Sequence, residues 1–496
     1  MKIKILDLFA GAGGLSSGFE MYVNEKNEKV FEVHRAVEID PFACNTLRKK
    51  HGMETVIEGD LTDKKIHKKV IKECKGIDIV MGGIPCQSFS LIGPRSGKFK
   101  ELEKFKCDTR DRLYEEFRDI VKELTPKIVV IENVKGILSK KDGNGEFIIN
   151  HLINDFEKLG YNFENESGMK YFVLNAADYG VPQIRERVIL VGVRKNWKDI
   201  TIPNMIPTHY DPNSKSAKEL KNLGLLPYVT VYDAIGDLPR LEAKLTSTGI
   251  SKRGLPKIKS QNKNRDDGAD ILENDFIKFK EHYSKLETNG KNYFKFIGTE
   301  KIAKIHHHKC RSHKKDDIQL YAKMNPGETA GDFITRCPED SSLIIYDMNS
   351  FKDKYRKQDF KKPSTTIFAH LEKDGNRFIH PEQPRTYTPR EAARIQSFPD
   401  DYIFEGPFTK KFKQIGNAVP PRLSFEIATM VHEKIISEKN KYWSKKSLFT
   451  NLRKEKFIKK ILEKKTPKFS LLIYRNKYDY NRKVHNSHKV LGKNFY

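Results

Sequence analysis

Short apolar runs alternate with longer amphipathic segments along the first 195 residues of the chain. The runs predict buried strands at Ile3–Phe9, Val33–Ile39, Ile77–Met81, Ile128–Glu132, Tyr171–Leu174 and Val188–Val193. The segments between them predict helices, for example over Asp111–Leu124 and Phe147–Leu159, and Asp40 before Pro41 suits a helix start because its carboxylate can cap free N–H groups. This alternation is typical of a parallel α/β sheet.

The pattern changes near Trp197. From there to about Phe378 the chain is irregular, charged and dotted with Pro, Gly and Asn, which predicts a second domain with many loops. Helix-like spacing returns between Arg385 and about Ile435. We therefore predict a first domain at 1–198, a second at 199–376, a return segment at 377–435 that completes the first domain, and an extension at 436–496.

The glycine-rich stretch "DLFAGAGGLSSGFE", residues 7–20, joins a predicted strand to a predicted helix. Glycines let a ligand approach the backbone, and a helix N-terminus favours negative charge. Glu38 ends the next strand, where a carboxylate suits the hydroxyl groups of a ribose. Together these features predict a cofactor that contains a nucleoside, while a tight turn without a ligand remains the alternative.

The glycine spacing narrows the choice of cofactor. A dinucleotide-binding fingerprint requires G-x-G-x-x-G, and after Gly11 and Gly13 the third glycine is missing. This counts against NAD and leaves S-adenosylmethionine. Asp60, in "EGD", would close the end of the third strand, and its carboxylate could accept a hydrogen bond from an adenine amino group.

Candidate reactive side chains lie in four further motifs. Cys86 stands in "GGIPCQSFS", Glu132 in "IENV", Arg185 and Arg187 in "VPQIRERV", and Asn417 in "QIGNAVPP". The carboxyl ends of parallel strands meet along one edge of a sheet, where ligands bind. We therefore expect Cys86 and Glu132 to face the pocket of the glycine loop, although a lone cysteine is more often a small buried hydrophobe.

These motifs, together with "VEID", "DTRDRLYEEF" and "TPREAARIQSFPD", resemble in order and spacing those of the cytosine-C5 DNA methyltransferases, such as bacterial type II restriction–modification methylases. The resemblance covers residues 3–195 and 363–430. It implies a Rossmann-like, S-adenosylmethionine-dependent α/β fold with a mainly parallel sheet, plus a smaller irregular target-recognition domain. It also implies methylation of a flipped-out cytosine in a short specific site of double-stranded DNA.

The resemblance assigns catalytic roles, and the chemistry explains the residue types. C5 of cytosine is a poor nucleophile, and the thiolate of Cys86 would activate it by adding to C6. Glu132 would bond to N3 and the exocyclic amine of the base. Arg187 would hold the O2 carbonyl, with Arg185 supporting the site.

Two further sets of residues follow from the resemblance. The loop after Cys86 is expected to close over the flipped base and to meet DNA through Gln87, Ser90 and Arg95. S-adenosylmethionine, which leaves as S-adenosylhomocysteine, is expected to contact residues of several motifs: Phe9, Ala10, Gly11, Gly13, Gly14, Leu15, Glu38, Ile39, Asp60, Leu61, Pro85, Asn417 and Val419.

The charge of the chain is consistent with a polyanionic partner. There are 92 Lys and Arg against 66 Asp and Glu, a net charge of +26, although a lysine-rich proteome would give the same excess. We expect a monomer on double-stranded DNA, with no obligatory protein partner and no membrane. The extension at 436–496 has 18 Lys and Arg against 4 Asp and Glu, which predicts an accessory nucleic-acid surface or an appendage that packs on the catalytic domain.

Cysteine usage and hydropathy bear on location and metal binding. Six cysteines without a C-x-x-C pair indicate a reducing compartment, and no apolar run reaches the ~18 residues of a membrane span. We expect a cytoplasmic, nucleoid-associated bacterial or archaeal enzyme. "HHHKCRSH", residues 306–313, invites a zinc site, but its spacing fits no structural zinc template. We favour a basic polar loop near DNA and expect no metal.

Two alternatives to DNA methylation stay open at this point. An RNA (tRNA) cytosine-5 methyltransferase would share the fold, but such relatives usually have a small recognition region and a Cys-Phe-Thr signature, neither of which is evident here. A catalytically inactive DNA-binding homologue is disfavoured because Cys86, Glu132, Arg185 and Arg187 are all present.

Overall fold

A computed structural model describes residues 2–84, 113–142, 145–245, 249–250, 256–257, 271–273, 275–345 and 354–437. Met1–Pro212 and Leu226–Glu438 form one compact unit. Asn213–Leu225 belongs to a second unit, whose described part contains one short helix.

An eight-stranded sheet organises the first unit. Its strands, β1 to β8 in chain order, are Ile3–Leu8, Phe31–Glu38, Val56–Glu58, Ile79–Gly83, Ile128–Val134, Tyr161–Asn162, Phe172–Asn175 and Glu186–Arg194. The spatial order is β3-β2-β1-β4-β5-β8-β6, and β7 also pairs with β8. The pairs from β3 to β5 are parallel, whereas β8 is antiparallel to β5, β6 and β7.

Helices cover both faces of this sheet, so its central strands are mostly apolar, with Asp7 of β1 as a buried exception. The helices α1 to α5 are Gly14–Met21, Pro41–His51, Lys64–Glu73, Leu113–Leu124 and Ile148–Lys158. Successive side chains of a strand point to opposite faces. Met81 accordingly packs in one core with Phe19 of α1, while Val80 packs in the other with Phe117 of α4 and Leu152 of α5.

Local sequence explains where two of these helices begin. The Asp40 carboxylate accepts a hydrogen bond from the Phe42 amide at 3.0 Å, and Pro41 occupies the first turn of α2, where a missing N–H costs nothing. Asp63 caps α3 in the same way by accepting from the Lys65 amide at 2.8 Å. The helix start predicted at Asp40 is therefore confirmed.

The middle of the chain consists of short elements. Its strands β9 to β16, which form two-stranded pairs, are His209–Tyr210, Leu226–Pro227, Lys244–Leu245, Gly249–Ile250, Pro256–Lys257, Ile271–Glu273, Lys304–His306 and Ser312–His313. Its helices α6 to α11 are Ala217–Asn222, Val231–Ile235, Phe276–Lys285, Thr288–Ile297, Lys315–Lys323 and Ala330–Arg336.

The return segment adds helices α12 to α14, Pro389–Ile395, Phe408–Asn417 and Pro421–Met430. Helix α14 packs closely on α1, because a Cβ added to Gly18 would lie only 2.5 Å from Phe425 N and from Ser424 Cβ. The Ser424 hydroxyl donates to the Leu15 carbonyl, and the Tyr402 hydroxyl donates to the Ala12 carbonyl at 2.5 Å. The last part of the chain therefore braces the glycine-rich turn of the first part.

The "HHHKCRSH" segment connects the middle of the chain to the return segment. His307 Nε2 accepts from the Phe404 amide at 3.1 Å, and His313 Nε2 accepts from the Thr386 amide at 3.3 Å. The ring of His308 lies 2.8 Å from the Pro239 carbonyl oxygen. Burial lowers the pKa of His313 to about 4. These imidazoles are buried hydrogen-bonding partners of the protein's own backbone.

The predicted fold class, an α/β fold with a mainly parallel sheet, is confirmed. Each of the six predicted strands is present within two residues of its predicted bounds, with the last one, β8, running antiparallel. The predicted helices over 111–124 and 147–159 correspond to α4 and α5. Among the described residues, no helix has the length and apolar character needed to cross a membrane.

Candidate active site

A carboxylate and a guanidinium meet where β5 and β8 lie side by side. Val134 is opposite Arg187 in the antiparallel ladder, which places the side chains of Glu132 and Arg187 on the same face. Arg187 Nε lies 2.8 Å from Glu132 Oε1, and each side chain is 12% exposed. Burial lowers the pKa of Arg187, and the Glu132 carboxylate opposes that change. The two opposite charges are therefore mostly shielded from water, and a small part of each side chain remains accessible to a ligand.

The neighbouring strand leaves room beside this carboxylate. Gly83 ends β4 and pairs with Glu132 in the parallel ladder. A Cβ added to Gly83 would lie 3.0 Å from Glu132 Oε2, closer than a side chain tolerates without a shift of its neighbour. Glycine at this position therefore leaves the Glu132 carboxylate uncrowded from the β4 side.

Arg185 has a different environment from Arg187. It is 2% exposed, and its guanidinium donates to the carbonyls of Ile367, Gly416 and Ala418 at 2.5, 3.1 and 2.9 Å. Burial holds the pKa of Arg185 well below its usual value, and the nearby charge of Arg187 acts in the same direction. Arg185 thus ties the start of β8 to two later stretches of the chain, "KPSTTI" at residues 362–367 and "QIGNAVPP" in the return segment.

The glycine-rich turn after β1 has the backbone of a ligand-binding loop. Phe9, Gly11 and Gly13 have positive φ angles of 56°, 56° and 72°, and for Phe9 this conformation is strained. A Cβ at Gly14 would collide with the Val419 carbonyl oxygen, whereas a Cβ at Gly11 would meet no atom within 4 Å. The turn is therefore packed against the return segment on one side and open above Gly11.

Glu38 lies beside this opening, at the end of β2. One carboxylate oxygen accepts from the Gly11 amide at 2.7 Å, and the other accepts from the Ile39 and Asp40 amides at 2.9 and 2.8 Å. A carboxylate offers about four acceptor positions in all, and the three amides occupy three of them, so one position remains on the oxygen that binds the Gly11 amide. Glu38 is held in place by the backbone and can still accept a hydrogen bond from a ligand.

The other predicted cofactor residues surround the same sheet edge. Ile39 is 60% exposed, which is unusual for an apolar side chain and suits a planar ligand. Asp60 is exposed just beyond β3, and Leu61 beside it is 3% exposed. Asn417 is exposed at the end of α13, while Val419 is 5% exposed against the glycine turn.

Three other predicted cofactor residues make a main-chain hydrogen bond or pack in the core around the glycine turn. The Ala10 amide donates to the Val37 carbonyl at 3.0 Å and so joins the turn to β2. Leu15 is 3% exposed and packs in the core with Phe19, and Phe9 is partly buried in the core on the other face of the sheet.

Five predicted site residues lie outside the described residues, namely Pro85, Cys86, Gln87, Ser90 and Arg95. The described part of the chain contains four free cysteines, and burial raises the pKa of Cys44 and of Cys74 to about 12. Those two thiols are inert at neutral pH, which separates them chemically from an activated nucleophile.

Two buried polar residues near the site were not identified in the sequence. Asp7, 1% exposed beneath the glycine turn, has its pKa raised to about 7 by burial, and Ser16 opposes that shift by a hydrogen bond. Gln183 accepts from the Ile367 amide and donates to Gln396 Oε1, both at 2.8 Å. Asp7 could have been identified from the sequence, because it is an acidic residue within the mostly apolar strand "IKILDL". Nothing in the sequence around Gln183 distinguishes that residue.

These observations fit S-adenosylmethionine as the cofactor. Open space above Gly11, a fixed carboxylate at Glu38 and an exposed apolar face at Ile39 suit the methionine, ribose and adenine parts of that molecule. Together with the strand order of the sheet, they define the class of S-adenosylmethionine-dependent methyltransferases with a Rossmann-like fold.

Comparison with known proteins identifies the family within this class. Residues 3–437 match the C-5 cytosine-specific DNA methylase family, so the chain belongs to that family, whose methyl donor is S-adenosylmethionine and whose substrate is DNA.

Individual relatives agree with this assignment. The type II methyltransferase M.NgoFVII of Neisseria gonorrhoeae is 31% identical over 452 residues, which cover 88% of this chain and 92% of the relative. M.DdeI of Desulfomicrobium norvegicum is 30% identical over 447 residues, covering 86% and 88%. A crystal structure described as a prophage-encoded DNA modification methyltransferase (E. coli) superposes with a TM-score of 0.54 at 26% identity, covering 87% of this chain and 98% of that one.

Proposed function

We propose that the chain is the modification methyltransferase of a type II restriction–modification system. It transfers a methyl group to C5 of a flipped-out cytosine in a short specific site of double-stranded DNA, and so protects host DNA from a cognate restriction endonuclease. The observation that carries the site assignment is the Glu132–Arg187 pair beside Gly83, the glycine that leads directly into "IPCQSFS".

Cys86 is the nucleophile in this proposal. It follows Gly83 by three residues in the sequence, and Gly83 pairs with Glu132 in the ladder of β4 and β5. Its thiolate adds to C6 of cytosine and forms an S–C6 bond, and the electron pair of the C5=C6 double bond becomes available at C5. This step requires a Cys86 thiol that is more acidic than usual, and positive charge from a nearby arginine is proposed to favour its thiolate.

Glu132 and Arg187 act on the ring while Cys86 adds. The Glu132 carboxylate meets N3 and the exocyclic amine and stabilises the ring as its charge changes, and Arg187 donates to the O2 carbonyl. Their mutual contact at 2.8 Å supports these roles, since each partner fixes the orientation of the other before a base arrives. Arg185 supports the site from the buried side through its three carbonyl partners.

The cofactor supplies an electrophilic methyl group next to C5. Glu38 is proposed to hold the ribose hydroxyls, Ile39 to pack on the adenine, and Asp60 to accept from its amino group. Residues of the glycine turn and Asn417 border the methionine part. After transfer, a base, which can be water, removes the C5 proton, the C5=C6 double bond re-forms and Cys86 leaves as the thiolate.

Recognition of the DNA site is assigned to the remaining parts of the chain. Residues 199–376 are proposed to be the target-recognition domain, and the loop with Gln87, Ser90 and Arg95 closes over the flipped base. The extension at 436–496 adds non-specific contacts to phosphate, in line with its +14 charge. The enzyme acts as a monomer on the nucleoid DNA of its host.

Bisulfite sequencing tests the reaction and reveals the site. A plasmid incubated with the protein and S-adenosylmethionine is expected to show protected cytosines in one short sequence context, and Cys86→Ala is expected to show none. Duplex DNA with 5-fluorocytosine in that context should form a complex with the unsubstituted protein that resists denaturation. The Cys86→Ala variant should form no such complex. Absence of protected cytosine with verified cofactor binding would contradict the proposal.

A further inference from the structure

Two neighbouring side chains of α13 bind α2, the helix that begins beside the cofactor carboxylate. Lys413 Nζ lies 2.8 Å from Asp40 Oδ2, and Gln414 Oε1 accepts from the Thr46 hydroxyl at 2.7 Å. Thr46 and Gln414 are buried, whereas the Lys413 and Asp40 side chains are 36% and 21% exposed. Gln414 therefore belongs to the packing between the helices, whereas Lys413 binds the N-cap residue of α2.

Asp40 connects this contact to Glu38. Its amide donates to Glu38 Oε1 at 2.8 Å, while its own carboxylate caps α2 by accepting from the Phe42 amide at 3.0 Å. The other oxygen of the Asp40 carboxylate is the one that Lys413 binds. A movement of Asp40 would therefore displace one of the amides that hold Glu38.

The charges of the pair favour this arrangement. Burial alone would raise the pKa of Asp40, but the Lys413 ammonium and the amides of Phe42 and Ala43 lower it below its usual value. The hydrogen bond to Asp40 raises the pKa of Lys413. Both groups are charged across the neutral range, and Lys413 also experiences the charge of Glu38 itself.

We propose that Lys413 is a positioning residue for the cofactor site. Through Asp40 it fixes the turn at residues 38–40, so that Glu38 presents its remaining acceptor position to the ribose hydroxyls before the cofactor binds. Preorganisation of this kind raises affinity by reducing what must be ordered on binding. The inference rests on the proposed role of Glu38, and it adds a residue that does not touch the cofactor.

Lys410 offers a matched control on the same helix. It lies one turn before Lys413 and is 33% exposed, close to the 36% of Lys413. Its Nζ binds Glu372 Oε1 at 2.6 Å instead of a residue of α2. Replacing either lysine removes one charge and one ion pair from α13, so the two variants differ in the link to Asp40 and in the positive charge near Glu38, and the Asp40→Asn background below separates these two effects.

The experiment measures binding of S-adenosylhomocysteine by titration calorimetry, and methyl transfer at saturating DNA. Lys413→Met is expected to weaken binding about 5-fold and to raise the KM for S-adenosylmethionine by a similar factor with kcat nearly unchanged. Lys410→Met should change both by less than 2-fold. Lys413→Arg should restore most of the affinity, because a guanidinium can also reach Asp40.

A double-mutant cycle separates positioning from a general loss of charge. Asp40→Asn keeps an N-cap acceptor for α2 but removes the ion pair, and it is expected to match Lys413→Met, with no further loss when both changes are combined. Equal affinities for the Lys413→Met and Lys410→Met variants, or an undiminished effect of Lys413→Met in the Asp40→Asn background, would overturn the inference. Failure of the unsubstituted protein to bind S-adenosylhomocysteine would overturn the proposed function instead.

Discussion

Replacing Arg185 by methionine is expected to destabilise the protein and to weaken cofactor binding at the same time. The side chain is fully buried, and its guanidinium donates to three main-chain carbonyls, that of Ile367 and those of Gly416 and Ala418 in the return segment. Methionine is long enough to fill most of the space of the aliphatic stem but has no donor. The consequences therefore depend on which of the three carbonyls keep another partner.

The magnitude follows from those partners. Ala418 O also accepts from Gln396 Nε2 at 3.1 Å and stays satisfied, whereas among the described residues Ile367 O and Gly416 O have no other side-chain donor. A buried polar group without a partner costs about 1–3 kcal/mol. Two such groups cost about 2–6 kcal/mol. Part of this loss is offset because the variant no longer has to bury a cation. We expect a loss of about 3 kcal/mol in unfolding free energy.

Arg311 provides the control for this measurement. Its guanidinium also donates to three carbonyls, those of Leu371, Glu372 and Lys373 at 2.7, 3.2 and 2.9 Å, but it is less buried than Arg185. Urea unfolding followed by fluorescence should show a smaller loss for Arg311→Met, about 1–2 kcal/mol. Calorimetry should show about 10-fold weaker cofactor binding for Arg185→Met only, since Ala418 and Gly416 flank Asn417, which we propose to border the cofactor.

A stability of Arg185→Met within 1 kcal/mol of the unsubstituted protein would refute this reasoning. It would mean that the two carbonyls find water or other donors at no cost. Equal losses of cofactor affinity in both variants would refute the local link between Arg185 and the "QIGNAVPP" segment.

Three further predictions rest on single features of the structure. Gly18→Ala should destabilise the protein by about 1–3 kcal/mol, because the added Cβ would collide with α14. Gly331→Ala should stabilise it by about 0.5–1 kcal/mol, because the added Cβ would meet nothing closer than 3.7 Å. The urea midpoints of the two variants measure both effects. Glu38→Ala should raise the cofactor Kd at least about 10-fold by calorimetry, and an unchanged Kd would remove Glu38 from the site. His313 has a folded pKa of about 4, so unfolding free energy should fall by up to about 1.4 kcal/mol per pH unit from pH 6.5 to pH 4, and His313→Gln should flatten that slope.

Elements of the fold are predicted best from the sequence where burial requires a regular pattern of apolar residues. Strands such as β1 and β5 are recognisable because both faces of the sheet are covered, and the start of α2 is recognisable because its cap is local. The motif residues of β2 and β5 also lie where the parallel order places them, at one edge of the sheet. Glu38 and Glu132 are therefore accessible to reasoning from the sequence.

Long-range contacts are what the sequence does not reveal. Arg185 and Arg187 are two residues apart and look equivalent, yet one binds carbonyls more than 180 residues away and the other binds Glu132. Lys413 stands in a lysine-rich segment, where nothing local distinguishes it from Lys410. The middle of the chain has little periodic pattern, because its short elements are held by buried polar side chains such as His308.

The bracing of the glycine turn by the return segment has a consequence for the nascent chain. Leu15 receives its hydrogen bond from Ser424, and Ala12 receives its own from Tyr402, so the partners are separated by 409 and 390 residues. At about 5–20 residues per second, a ribosome needs roughly 20–80 s to travel that distance. Throughout this interval the glycine turn exists without the residues that hold it in the folded enzyme. Methylation therefore begins only after nearly the whole polypeptide has left the ribosome.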